Sequence, residues 1–399
     1  MSSHAKSDHG TRRKTGIMGT TQGGALPTHE ARHAAWLELF FDLVFVAIVA
    51  QFSHALHGDP GLRDFGLFFA LYLPAWWAWV NITVSANLFG SESPKLRLLV
   101  LSAMFCLAAM ATSVPDALGD RAAAYSLGYA GIRFVLLALW WPATRMAGSH
   151  RLPRWRPISY YLLSGIFWAL SALLPPPWQY GAWAALIAAE IVLLLAATGA
   201  GLPGQLHVGH LMERVGLFVI IVLGESIIAL VTSTDHTWSR HGEAVAVLGF
   251  ILLAALWWSY FDFGTAAAGP MMTQQDSIRI FLLARDIVGF LHFFVTAAVI
   301  AISAGLGTAV EEAGHGRLSP GALWALAGGL TLYHAAHALI ALRLGRRLTD
   351  VACWALPGVG FPLLLALLAD SFPPWLLLLL LAAEALAHLM YARGVMRRA

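Results

Sequence analysis

Charge is what this sequence has least of. Asp, Glu, Lys and Arg make up 12% of its 399 residues, about half the share found in a soluble domain. Hydrophobic residues supply 58%, more than the interior of any water-soluble fold could hide. Cysteine is also scarce. Cys106 and Cys353 both fall in apolar stretches, which excludes a disulfide framework and a CxxC metal pattern. Residues 1–28 lack an apolar core of the length a cleavable signal needs, and their Ser, Gly, Thr and basic residues predict a disordered cytoplasmic tail. The first membrane helix then serves as the insertion signal. No phosphate-binding Gly-rich loop, nucleophile elbow or HExxH string occurs, so no specific motif supports an enzyme, a cofactor or a nucleic-acid partner.

What is present is a series of apolar stretches, each near the 20 residues needed to cross about 30 Å of hydrocarbon. They lie near 36–56, 65–89, 96–114, 122–144, 157–175, 178–200, 211–233, 243–264, 279–306, 320–343, 350–369 and 373–395. The sequence therefore predicts an all-α integral membrane protein of about twelve transmembrane helices. Basic residues test that count, because Lys and Arg accumulate in cytoplasmic segments. With the N-terminus inside, the outer loops hold only Arg63, Arg121, Arg240 and Arg317, and only Arg133 and Arg285 lie within the membrane. The remaining basic residues, Arg214 among them, count as cytoplasmic. Both termini are then expected in the cytoplasm.

The two halves resemble each other. Trp76, Trp77, Ala78, Trp79, Val80 and Asn81 reappear as Trp257, Trp258, Ser259, Tyr260, Phe261 and Asp262. Pro177–Trp178 matches Pro374–Trp375, and Ala188–Ala189–Glu190 matches Ala382–Ala383–Glu384. Each pair agrees in helix number and direction, which predicts two parallel six-helix repeats, 29–200 and 201–399. Tryptophan doublets such as Trp140–Trp141 read as anchors and packing groups.

Function is sought at the ionisable groups inside the membrane, since each costs at least about 2.5–3.5 kcal/mol at a helix centre on insertion scales. Glu38 and Asp42 share one face of helix 1. Helix 7 carries Glu225 beside Ser226, past the midplane, and Glu190 and Glu384 come near mid-depth. Arg133 lies in helix 4, Arg285 beside Asp286 in helix 9, and His292 two turns deeper. A structural reading pairs Arg133 with Glu190 or Glu225, and Arg285 with Asp42, Asp262 or Asp286. A functional reading makes the acids a water-accessible path for cations or protons. His54/His57, His207/His210 and His334/His337 have metal-compatible i, i+3 spacing, but no further ligand is fixed and no metal is assigned. His292 reads as either a proton-relay group or a satisfied core histidine.

The stretches WLELFFDLVFVAIVAQFSHAL (36–56) and HLMERVGLFVIIVLGESIIAL (210–230), with WWAWVN in helix 2 and WWSYFD in helix 8, resemble the bacterial low temperature requirement A family. The resemblance implies a multipass inner-membrane protein from a family named for growth in the cold. It points to Glu38, Asp42, His210, Glu213, Arg214, Gly224, Glu225 and Ser226 as motif residues, and to His292 as a helix 9 histidine. Three functions compete. One is a transporter or channel for a cation, proton or small solute. Another is a membrane enzyme using Glu38, Asp42, His210, Glu213, Arg214 and Asp262 on lipid or a lipid-linked substrate. The last is a structural or sensing role. Membrane lipid is the expected partner, and a homo-oligomer stays open beside a monomer.

Overall fold

Where the chain enters lipid its backbone must satisfy its own hydrogen bonds, and helices do so within a single segment. The computed structural model describes residues 36–89, 93–143, 155–197, 206–265, 276–368 and 372–396, and among them there are helices and no strands. The expected tail at 1–28 lies outside the described residues. In chain order the helices are α1 (Trp36–Ala55), α2 (Leu62–Phe89), α3 (Pro94–Ser113), α4 (Ala122–Ala143), α5 (Trp155–Ser171) and α6 (Trp178–Ala196). The second six are α7 (Val208–Thr237), α8 (Arg240–Ser259), α9 (277–311), α10 (320–343), α11 (Leu348–Leu368) and α12 (Pro374–Met396).

Several starts are legible in local chemistry. The Ser93 hydroxyl accepts from the Leu96 amide with Pro94 in the first turn, Ser239 accepts from Gly242, and the Asp276 carboxylate accepts from Arg279. These are the N-terminal caps expected of short oxygen-bearing side chains. Short connections make consecutive helices antiparallel neighbours. Wider π turns occupy Tyr260–Thr265 at the end of α8, Arg285–Leu291 in α9 and Trp324–Gly328 in α10.

Eleven of the twelve helices are long and apolar enough to span a bilayer; the exception is α5, at 17 residues. Parity argues that α5 crosses as well. Glu38 pairs with His210 and Asp42 with Arg214, both 172 residues apart. Equal steps in the same direction mean that α1 and α7 run parallel, so an even number of crossings separates their starts. Twelve spans satisfy that condition; skipping α5 would not.

The described helices form one compact unit rather than two. Its axis is α9, where every residue from His292 to Val310 except Phe294 is buried. The run is rich in Ala, Gly and Ser, which lets neighbouring backbones approach closely. The first half is fastened to it by polar contacts. The Tyr72 hydroxyl donates to Thr296 (2.8 Å), Trp76 Nε1 to the Gly289 carbonyl (2.7 Å), Ser53 to Ser303 (3.1 Å) and the Gly58 amide to Thr308 (2.8 Å). Trp76, Trp77, Trp79 and Trp168 are fully buried, so these tryptophans serve packing rather than interfacial anchoring. Of the two cysteines, Cys106 packs near Gly131 while Cys353 is exposed.

At Gly329 on α10 an added Cβ would stand 2.8 Å from Ile302 Cγ1 and 3.1 Å from the Ala298 carbonyl, whereas at Gly360 on α11 nothing lies within 4 Å. Gly329→Val should therefore lower stability by about 1–3 kcal/mol through overpacking, while Gly360→Ala should be neutral or stabilising. Thermal unfolding of the two variants in detergent checks this, and equal Tm values would contradict the α9–α10 packing.

Candidate functional site

Three helices bring polar side chains to one point by the same four-residue step. On a helix that step keeps side chains on one face. Thus α1 presents Glu38 and Asp42, α7 presents His210 and Arg214, and α2 presents Trp79, Thr83 and Asn87. His210 Nε2 lies 2.8 Å from Glu38 Oε2, and Arg214 reaches Glu38 at 3.3 Å and Asp42 at 2.7 Å. Trp79 Nε1 donates to the same Asp42 oxygen at 2.8 Å. Thr83 stands 3.4 Å from Arg214. Arg214 is 1% exposed and Asp42 fully buried.

The proton positions follow from the donors. The His207 amide donates to Asn87 Oδ1 (3.0 Å), which fixes Asn87 Nδ2 as the donor to His210 Nδ1 (2.9 Å). His210 then carries its hydrogen on Nε2 and gives it to Glu38. With the imidazole neutral, Glu38 and Asp42 share the guanidinium of Arg214. Asp42 Oδ2 and Arg214 Nε have no hydrogen-bond partner among the described residues.

A second centre lies in the first half. Arg133, fully buried on α4, donates to both the Tyr129 hydroxyl and Glu190 of α6. The Tyr129 hydroxyl also donates to Glu190 Oε2 (2.7 Å), and Ser164 of α5 donates to Oε1 (2.5 Å). The guanidinium stacks over the Tyr129 ring at 4.7 Å and approaches Tyr160 at 5.7 Å, adding cation–π attraction in a dry setting. Glu190 forms part of the wall of a cavity of about 850 Å³ between α2, α5, α6, α7 and α9. Aliphatic side chains make up most of its lining together with the rings of Trp77, Trp140, Tyr160, Tyr161, Phe167 and Phe281, and Arg156 and Arg285 stand where it meets the ends of α5 and α6. Tyr161 donates to Asn81 (3.2 Å), and Trp140 to Ser85 (3.0 Å), along the α2 wall.

The expected pairings are thus partly redrawn. Arg133 takes Glu190 rather than Glu225, and Asp42 takes Arg214 rather than Arg285. Arg214 is accordingly a buried residue of α7 and not a loop charge, because its partners on α1 satisfy it within the bundle. Arg285 pairs with Asp286 at 2.7 Å, donates to the Leu195 carbonyl in the last turn of α6, and shares Asp286 with Arg343. Asp262 does not join the Glu38 group; it accepts from Trp258 (2.6 Å) and faces Arg393 at 4.0 Å. Glu213 sits on the exposed side of α7. Glu225 and Ser226 are buried, about 16 Å beyond Arg214 by helical rise. Ser226 donates to the Val222 carbonyl of its own helix. Glu225 lines neither the cavity nor the Asp42 cluster. His292 is a satisfied core histidine: Nδ1 lies 2.9 Å from the Ile287 carbonyl, and Nε2 then accepts from Tyr260 at 3.0 Å. His334 meets Glu384 and not His337, whose Nδ1 bonds the Tyr333 carbonyl.

Removing one partner of a buried ion pair leaves the other charge stranded, at a cost of about 3–5 kcal/mol, whereas replacing both with apolar groups is often neutral. Arg133→Met alone should therefore destabilise strongly, and Arg133→Met with Glu190→Leu should recover most of the loss. Unfolding of both variants in detergent measures the difference, and a double variant no better than the single would refute the pairing.

Comparison with known proteins agrees with this architecture. The chain matches the profile described as bacterial low temperature requirement A protein over residues 33–386. It is also 26% identical over 285 residues to an uncharacterised protein of Rhizobium meliloti (strain 1021), covering 68% of each chain. With the profile spanning nearly all of its helices, the chain belongs to the bacterial low temperature requirement A family.

Proposed function

We propose that this protein carries a small, largely apolar organic solute across the bacterial inner membrane, using the cavity beside Glu190 as its binding chamber. The observation that carries this reading is the cavity itself. At about 850 Å³ it falls within the 300–1,000 Å³ of small-molecule sites, and it has their usual make-up of aliphatic and aromatic walls with a few fixed polar groups. A bare inorganic ion would call for rings of carbonyls, carboxylates or water in place of its hydration shell, and this lining offers few. The enzyme reading has less support, since Asp262 pairs with Trp258 and Arg393 and not with Glu38, Asp42, His210 and Arg214.

Two further features favour transport. Glu38, Asp42, Arg214 and His210 form a buried ionisable cluster between α1 and α7, of the kind that marks ion or proton paths in transporters. The internal repeat read from the sequence also matches the construction of many carriers, in which one set of helices rocks against the other around a central site. The distribution of basic residues favours an α1 that starts in the cytoplasm, and in that orientation the cavity lies toward the cytoplasmic side. Its surroundings are membrane lipid, faced by Phe105, Leu193, Leu367 and other exposed apolar side chains.

Ala189 lies on the cavity wall and is exposed, so Ala189→Trp fills the space without overpacking the core. In proteoliposomes supplied with a panel of radiolabelled aromatic amines, aromatic carboxylates and neutral amides, the parent protein should show saturable uptake of at least one class. Ala189→Trp should reduce that uptake at least tenfold with an unchanged Tm. Ala189→Cys should react with a membrane-impermeant thiol reagent from the cytoplasmic face, and also from the outer face during turnover. No uptake of any class, together with no thiol reactivity from either face, overturns the reading.

A further inference from the structure

We propose that His334, Glu384 and His388 form a three-ligand site for a divalent transition-metal ion, of the kind zinc occupies, between α10 and α12. Glu384 stands between two imidazoles. His334 Nε2 lies 3.3 Å from its Oε2 and His388 Nδ1 lies 3.6 Å from its Oε1, and the three ligand atoms all fall within 4.8 Å of one another. The second separation is too long for a hydrogen bond. The two distances run to different carboxylate oxygens, and each is near the spacing of neighbouring ligands around a tetrahedral ion, about 3.4 Å when each metal bond is about 2.0–2.2 Å, so a small turn of the carboxylate brings one oxygen to both nitrogens. Two nitrogens and one carboxylate oxygen suit zinc, cobalt or nickel, whereas magnesium and calcium favour all-oxygen shells.

The surroundings hold this geometry in place. Glu384 and His388 are one turn apart on α12, so their side chains rise from one face, and His334 approaches from α10. The two imidazoles stack at 4.4 Å with 28° between planes, and Trp354 of α11 stands edge-on to His388 at 5.4 Å. Gly358 of α11 makes the room. A Cβ there would come within 2.9 Å of His388 Cε1 and 3.1 Å of His334 Cγ. His334 is buried, while the His388 side chain keeps 14% exposure, so one edge of the site is not closed by protein. Three protein ligands leave a fourth position for water or an exchangeable group, the pattern of reactive rather than purely structural zinc sites. This site shares no residue with the cavity, so it stands or falls independently of the transport reading.

The test uses the full chain, purified without a histidine tag, stripped with chelator and titrated with cobalt(II). The expected result is one equivalent bound, with the intense visible absorption of four-coordinate cobalt that is displaced by zinc, and a Tm that rises on adding zinc. Glu384→Gln and His388→Ala should each weaken binding at least 100-fold, whereas His337→Ala, one turn from His334 but bonded to its own helix, should leave it unchanged. His388→Gln, which keeps most of the ring's volume without its nitrogen ligand, serves if His388→Ala fails to fold. Stoichiometry below one tenth, or undiminished affinity in the Glu384 and His388 variants, overturns the proposal.

Discussion

Arg214 sits where α1 and α7 cross, and the rest of the molecule is arranged around what it needs. In lipid a guanidinium has no water to fall back on, and a carboxylate has none either, so each must meet the other inside the bundle. Arg214 meets two, Asp42 at 2.7 Å and Glu38 at 3.3 Å, and both come from α1. Because His210 one turn earlier repeats the same offset with Glu38, the contact sets direction and register as well as proximity. A slip of one turn would break both pairs at once. The first helix of one half is thereby locked parallel to the first helix of the other, and the path of the ten remaining helices has to accommodate that constraint.

Apolar packing then fills what the ion pairs define. Without water there is no hydrophobic drive between helices, so close backbone approach and interhelical hydrogen bonds carry the association. Small residues along α9 provide the first, at Gly305 beside the Ala322 carbonyl and at Ala298 beneath Gly329. Tyr72, Trp76 and Ser53 provide the second. The π turn at Arg285–Leu291 has a local part in this. It leads directly into His292, whose ring bonds the Ile287 carbonyl inside the turn and receives Tyr260 from α8. Such turns gather at functional sites more often than elsewhere, and here one places Gly289 where its carbonyl can accept from Trp76.

The helices were legible in the sequence because lipid imposes a length that soluble proteins do not, and the short α5 is a helix where the sequence placed one, at 17 residues. The enzyme reading did gather Asp42 with Arg214, but the ion-pair reading gave Asp42 to Arg285, because Arg214 stands seven residues into α7 and reads as a loop charge if that helix is started late. One signal could have revealed the pairing: two acids four apart on α1 against a histidine and an arginine four apart on α7. Glu190 with Arg133 was among the pairs expected, since both come near mid-depth. His334 with Glu384 was missed. Spacing within one helix drew attention to His337, while the real neighbours lay 50 and 54 residues away. The cavity was invisible for a different reason: it is the absence of a contact, and no residue pattern records a gap.

That gap sets the two halves apart despite their common sequence pattern. In the second half α12 packs along α8, and Arg393 reaches back over Trp258 at 4.0 Å. In the first half α6, the least buried of the eleven apolar helices, stands away from α2, and the space between them is the cavity. The aromatic runs respond accordingly. Trp76 and Trp77 are buried, Trp76 stacking on Trp79 with Phe218 edge-on to it, whereas Trp257 and Trp258 are exposed at the matching positions and Tyr260, which matches Trp79, is buried. The matched carboxylates part company in the same way. Glu190 is held by a permanent cation and faces a solute-sized space; Glu384 is held by two imidazoles, which can exchange each other's company for a metal ion. The carboxylate on the sixth helix of each half thus meets a guanidinium in one and imidazoles in the other, and the residue that the fourth helix presents, Arg133 on α4 or His334 on α10, decides which.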